Sequence, residues 1–344
     1  MGGGRASKAR RKSGDLRTRS RRPHQRGSAA DAGGSVMVLE RETWTRDMKA
    51  KHDPVMMEEV LTALRLQPGQ VAVDATLGLA GHARRMADAV APGGTLVGFD
   101  WDASMLEIAK VNLREKHGIR IEYVHSDYRG MHPALDSLGL KADGILMDLG
   151  LNSAQIDDPS RGISFREEGP LDMRMDRSEG EPASALLNRL GPDEIERILW
   201  TYGDERWARA IAKSIVARRK DRPLRTTADL VDAVLAAVPA GARDKRINPA
   251  TRTFQAVRIA VNKELEGLEE AVTDAATCLA PGGTLAVLSY HSGEDRQVKH
   301  AFRALAGEEF EEPLRKPQEP TTEEIARNPR SRSAKLRLLR RVAG

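Results

Sequence analysis

Three aspartates each close a short apolar run: Asp74 after Val71-Ala72-Val73, Asp100 at the end of 95–100, and Asp148 after Ile145-Leu146-Met147. A carboxylate in such a place can accept hydrogen bonds from hydroxyls or face a cation. Between the first two lies Asp74-Ala75-Thr76-Leu77-Gly78-Leu79-Ala80-Gly81-His82, a turn of small residues that opens into a helical stretch. Small residues let backbone approach a ligand closely, and the helix start presents N–H groups to it. Asp100 follows Asp74 by 26 residues, the spacing at which an acid at the end of the second strand meets the two hydroxyls of a ribose.

The turn narrows the class of ligand. A dinucleotide site would read G-x-G-x-x-G, and Gly78-Leu79-Ala80-Gly81 lacks that pattern. An acid four residues before Gly78 fits S-adenosylmethionine better, because Asp74 can meet its charged amine and no pyrophosphate needs cradling. The competing reading is an ordinary tight turn between strand and helix. Asp148 opens Asp148-Leu149-Gly150-Leu151-Asn152-Ser153-Ala154-Gln155, and ligands of open α/β sheets sit at such strand ends.

Three further segments carry polar residues in patterns without helical or strand period. The stretch 161–176, with Arg161, Asp172, Arg174 and Asp176, is a candidate lid or substrate clamp, or else a solvated linker. The run 288–296, Leu-Ser-Tyr-His-Ser-Gly-Glu-Asp-Arg, sits where another strand should end. The run 248–258 opens a helix and offers Arg252 and Arg258 to phosphates. Metal is not expected, because the eight histidines are scattered and the one cysteine, Cys278, falls in a helical stretch. No G-x-S-x-G elbow announces a hydrolase.

The elements that must hold these residues alternate. Strand-like runs at 71–76, 95–100, 119–125 and 144–149 are separated by helical stretches at 84–90, 104–114 and 131–138, the pattern of βαβ units and a parallel sheet. A helix at about 54–65 precedes them, with Asp53 as its expected cap and Pro54 in its first position. The alternation then stops until 284–290. A crossover needs a dozen or so residues, so something is inserted. Helical patterns at 185–190, 192–202, 207–219 and 227–238 make it a small helical domain, placed at 155–250. One long helix over 252–279 should lead back to the sheet, and a run at 334–342 should lie on its edge. The expected division is therefore 1–35, a basic tail without apolar residues to bury; 36–154 and 251–344, two parts of one α/β domain; and 155–250 between them.

Composition sets the setting. One cysteine permits no intrachain disulfide and suits a reducing, cytoplasmic compartment. Neither a membrane span nor a secretory signal is expected, since no apolar run approaches ~18 residues. The net charge of +5 is unevenly spread. Residues 1–26 carry +9 and residues 327–341 carry +7, which leaves −11 between them. Basic ends suggest a polyanion partner, or a solvated tail without one. With 13 aromatics in 344 residues, an aromatic platform for stacking several bases is not expected.

In their order, these residues resemble the ribosomal small-subunit methyltransferase H family, whose bacterial members are also called MraW. The resemblance runs from His52-Asp53-Pro54-Val55 to the C-terminus and is most specific at 169–176, 251–258 and 291–296. It implies S-adenosylmethionine as methyl donor and N4-methylation of a cytidine in the decoding region of 16S rRNA in the small ribosomal subunit. It also implies a Rossmann-like class I methyltransferase fold of the α/β class with an inserted all-helical substrate-recognition domain. By position, cofactor contacts fall on Ala80, Gly81, His82, Asp100, Tyr128, Asp148 and Gln155. Ala80 stands where the family has glycine, and its N–H stays available if its φ is negative. Asp148 and Asn152 are the residues expected to accept hydrogen bonds from the amino group of the target base, with His291 and Asp172 behind them. A nicotinamide-dependent dehydrogenase and a non-catalytic RNA-binding protein are the rival classes.

Overall fold

The computed structural model describes residues 1–2, 53–114, 116, 118–244 and 248–343. Nearly all of the expected basic tail lies outside the described residues. Residues 53–343 belong to one compact unit.

The sheet has the order β3-β2-β1-β4-β5-β7-β6. Its parallel part comprises β1 (Val71–Asp74), β2 (Thr95–Asp100), β3 (Arg120–His125), β4 (Ala142–Asp148) and β5 (Leu279–Ser289). The strands β1, β2, β4 and β5 are buried on both faces, which is why their sequences are continuous apolar runs and not alternating ones. The covering helices are α1 (Met57–Leu64), α2 (Gly81–Val90), α3 (Ala103–Leu113) and α4 (Met131–Leu138). One face of the sheet packs around Phe99, Met131, Met147 and Val287, the other around Leu96, Leu146, Ala286 and Leu288. The parallel α/β sheet expected from the alternation, and the Rossmann-like fold that the family resemblance implies, are the ones found.

Between β4 and β5 the chain builds α5 (Ser153–Asp157), α6 (Ala183–Arg189), α7 (Pro192–Gly203), α8 (Ala208–Asp221), α9 (Thr227–Ala237) and α10 (Ala250–Asn262). Leu187, Ile195, Leu199, Ile211, Ile215, Leu230 and Val234 form a core of their own there. The ring of Phe165 meets that of Phe254 edge-on, with centroids 4.8 Å apart. By packing, α10 belongs with the inserted helices, since Ala250, Phe254, Ala256 and Val257 lie in that core. The expected division at 250/251 would cut through it.

Three local expectations are corrected. Asp53 does not cap α1. That helix starts after Met56, at φ 52°, and the Met56 N–H donates to Glu324 Oε1 at 2.6 Å. Asp53 instead accepts from Arg327 Nε at 2.7 Å, so the cap comes from the C-terminal α13 (Thr322–Arg327) after α12 (Ser292–Leu305). The single helix over 252–279 is two, α10 and α11 (Leu268–Thr277), broken where Lys263 (φ 51°) and Gly267 (φ 71°) turn left-handed. The last strand, β7 (Lys335–Arg341), is not the edge. It pairs antiparallel with β5 on one side and with the two-residue β6 (Phe310–Glu311) on the other.

The placement of β7 also accounts for the basic C-terminal run. Lys335 and Arg337 pair with Asp295, Arg340 with Glu311, Arg330 with Asp157 and Arg327 with Asp53. Arg341 donates to the Leu279 carbonyl. Most of these cations thus have acidic partners within the fold, Arg327 and Arg330 remain partly open to solvent, and Arg332 is exposed.

Candidate active site

The C-terminal ends of β1, β2 and β4 converge on a cleft of about 110 Å³ lined by Thr76, Gly78, Asp100, Tyr128, Asp148, Asn152 and Gln155, among others. Parallel strands place their carboxyl ends on one side of the sheet, which is why these distant residues meet. Asp100 Oδ2 accepts the Gly78 N–H at 2.7 Å and Oδ1 accepts the Asp102 N–H at 2.8 Å. The carboxylate is thereby fixed with one lone pair per oxygen still available to hydroxyls. Burial pushes its pKa up to about 6, against those two hydrogen bonds.

Asp148 is the most constrained group. Tyr290 Oη donates to its Oδ1 at 2.7 Å, and His82 Nδ1 stands 3.6 Å from Oδ2. Its backbone N–H donates to Thr76 Oγ1 at 2.8 Å, which ties β4 to β1. Burial raises its pKa to about 7, and the Tyr290 hydrogen bond opposes that shift. Asp74 is 2% exposed, accepts the Thr76 N–H, and is also pushed up to about 6 by burial. It does not line the cleft; Ala75 and Thr76 do.

The turn departs from expectation. Ala80 has φ 63°, and its N–H is used within the turn, on the Leu77 carbonyl at 2.7 Å. The negative φ that would have left this N–H to a ligand is not adopted. Ala80, Gly81 and His82 do not line the cleft. Gly81 is required for another reason: a Cβ there would come within 2.6 Å of Pro54 Cγ. His82 Nε2 meets the Val55 carbonyl at 3.0 Å, and burial lowers the pKa of the ring.

Asn152 caps α5. Its Oδ1 accepts the Gln155 N–H at 2.9 Å, and the Gln155 side chain returns a bond to the Asn152 N–H. The amide oxygen expected to accept from a target base already accepts this one bond, which leaves it one lone pair, and the NH₂ makes no bond among the described residues. His291 is likewise a cap: its Nδ1 accepts the N–H groups of Gly293 and Glu294 at the start of α12. Asp172 is bound on both oxygens by Arg174, and Arg161 pairs with Asp102 and donates to the Met175 carbonyl. Asn262 bonds both the Met173 carbonyl and the Met175 N–H, at 2.8 Å each. The loop 161–176 is therefore pinned to α3 and to the end of α10, and Met175 reaches the cleft.

Glu264, which no sequence motif announced, and Glu294, within the run 288–296 but given no role there, also line the cleft. Glu264 lies in the break between α10 and α11 and accepts from Arg258 Nε and Nη2, at 2.8 and 2.7 Å. This pairing withdraws Arg258 from any phosphate. Gly267 inside a helical run was the available signal of that break. Glu294 Oε2 accepts the Tyr290 and His291 N–H groups. Ligand atoms of Glu264, His291 and Glu294 lie within 4.8 Å of one another, a convergence that the scattered histidines did not announce. Arg258 holds the Glu264 carboxylate, backbone N–H groups hold Glu294 and His291 Nδ1, and of the three Glu264 and Glu294 line the cleft while His291 lines the groove next to it.

Among the described residues, no helix is long and apolar enough to cross a membrane. Residues 49–342 match the MraW methylase family. The chain is 44% identical over 308 residues to a protein of Geobacter sp. (strain M21) named ribosomal RNA small subunit methyltransferase H, covering 85% of this chain and 98% of that one. It is 47% identical over 296 residues to a protein of the same name from Sorangium cellulosum, covering 86% and 92%. Among solved structures it resembles an rRNA methylase from Streptococcus thermophilus at 10% identity and TM-score 0.36, covering 85% and 98%.

Proposed function

This chain belongs to the MraW methylase family, and from that membership we propose that it transfers the methyl group of S-adenosylmethionine to the N4 amino group of a cytidine in the decoding region of 16S rRNA. S-Adenosylmethionine supplies an electrophilic methyl group on a sulfonium cation. Asp100 accepts from its ribose hydroxyls, Tyr128 and Gln155 line its site, and the turn 78–82 acts by shaping the cleft.

The N4 lone pair of cytosine is delocalised into the ring and is a weak nucleophile. The residues must therefore align it with the methyl group. As the N–C bond forms and the S–C bond breaks, N4 sheds a proton. Asp148 accepts it, since a carboxylate held near pKa 7 is matched to proton transfer at neutral pH. The Asn152 NH₂ faces the ring acceptors of the base. The observation that carries this reading is Asp148 itself, at a parallel strand end, oriented by Tyr290 and next to the capping Asn152. The helices of 183–262 serve as the substrate-recognition part, acting in the cytoplasm on the small subunit.

The test is to incubate the protein with small subunits lacking the modification and with methyl-labelled donor, then map the label by mass spectrometry. Label on a single cytidine N4 of 16S rRNA is expected. Label elsewhere, or none, overturns the reading.

A further inference from the structure

The body of the chain is acidic, yet residues 206–222 hold seven Lys/Arg against one acid, Asp221. Within this run three arginines are consumed internally. Arg218 pairs with Asp232, Arg222 with Asp229, and Arg219 donates to the Leu187 carbonyl. These contacts also take up the two acids that α9 offers. Arg206, Arg209, Lys213 and Lys220 remain exposed and have no partner among the described residues. Arg209, Lys213 and Lys220 fall within roughly 40° of one another at 3.6 residues per turn and run ~17 Å along α8, with Arg206 in the turn just before it.

The stripe starts beside a second opening. Thr201, Gly203 and Asp204, which lead into it, line a groove of about 680 Å³ whose far side is formed by α12. Trp200, 63% exposed, stands in the same groove. The groove reaches His291 and Gly293, whose neighbour Glu294 lines the cleft. Its own charges are mixed: Asp204, Glu266 and Glu269 face Arg252 and Arg296 there, and His300 approaches Glu269 at 3.4 Å. The groove is thus no phosphate site, whereas the α8 stripe is cationic throughout.

We propose that Arg206, Arg209, Lys213 and Lys220 bind the phosphates of an rRNA strand flanking the target base, whose bases then follow the groove past Trp200 toward the cleft. This rests on the methyltransferase reading for the identity of the strand and on the charge pattern for the surface. Four exposed cations without partners in an acidic body concentrate a polyanion there, and each phosphate contact adds a salt-dependent term.

The experiment compares the full chain with the variant R206Q/R209Q/K213Q/K220Q for binding to small-subunit rRNA at several salt concentrations. A control variant, R65Q/R84Q/R303Q/R315Q, removes the same charge from exposed positions elsewhere. The stripe variant should lower the slope of log K against log salt by about three, from four contacts at ~0.7–0.9 each. Its affinity for S-adenosylmethionine and its melting temperature should match those of the parent. Parallel salt plots, or an equal effect of the control, would overturn the proposal. So would unchanged binding to free rRNA with lost binding to intact subunits, which would assign the stripe to a protein partner. If the parent binds rRNA through the stripe but transfers no label, the surface stands and the methyltransferase reading falls.

Discussion

The Tyr290 hydroxyl donates to Asp148 Oδ1 at 2.7 Å, joining the ends of β5 and β4 across 142 residues of sequence. This hydrogen bond favours the ionised carboxylate, which burial disfavours. Tyr290→Phe should therefore raise the pKa of Asp148 further. The acid limb of the pH–rate profile should move to higher pH, with turnover at neutral pH falling by roughly tenfold if the bond contributes ~1.5 kcal/mol. An unmoved profile would mean that Tyr290 only packs. Asp148→Asn should abolish most turnover at saturating donor, a loss that a purely binding residue would not produce.

Asp100 holds two backbone N–H groups as well as facing the cleft. Asp100→Ala thus leaves two part-buried donors unmet and should cost about 1–3 kcal/mol of stability for each, in addition to cofactor affinity. Asp100→Asn keeps one acceptor oxygen and separates the two effects. Calorimetric titration with S-adenosylmethionine should still show a large loss of affinity in Asp100→Asn, at a melting temperature close to that of the parent. Unchanged affinity would remove Asp100 from the ribose.

Cofactor affinity should fall as pH falls through 7. Asp74, Asp100 and Asp148 have folded pKa values raised to about 6, 6 and 7, so the cation-free fold binds more protons than the unfolded chain between about pH 4 and 7. Stability without ligand accordingly declines as pH rises through that window. A cationic donor in the cleft favours the ionised forms of the carboxylates that line it, Asp148 and Asp100, so binding expels protons. For Asp148 alone, affinity should weaken on the order of tenfold from pH 7.5 to pH 6. Binding measured in buffers of different ionisation enthalpy reads the released protons, and a flat pH dependence would remove the carboxylates from the cofactor's surroundings.

Glu324 caps α1 from the far end of the chain, with Met56 N–H at 2.6 Å. Glu324→Ala should leave that donor buried and unmet, at a cost of about 1–3 kcal/mol. Thermal unfolding should shift downward by several degrees, with cofactor affinity per folded molecule retained. A melting temperature equal to that of the parent would show the cap to be dispensable.

The parallel sheet, the helical insertion and the strand-end carboxylates Asp100 and Asp148 were legible from short-range pattern, whereas Tyr128, Asn152 and Gln155 were expected only through the family resemblance and are found lining the same cleft. Strands buried on both faces must be apolar throughout, and parallel strand ends must fall on one side. What the chain does at Ala80, Met56 and Lys263 was not legible, because positive φ at a non-glycine residue is imposed by packing and by partners elsewhere. The same holds for charge. Counting lysines and arginines gave the C-terminal run +7, whereas in the tertiary structure Asp53, Asp157, Asp295 and Glu311 pair with five of its cations. A sequence determines how many charges a segment carries and which face of a helix they share. Which of them meet a counter-ion is decided only by the long-range contacts of the folded chain, and those contacts occupy Arg258 and Arg337 while leaving Arg209 and Lys213 to solvent.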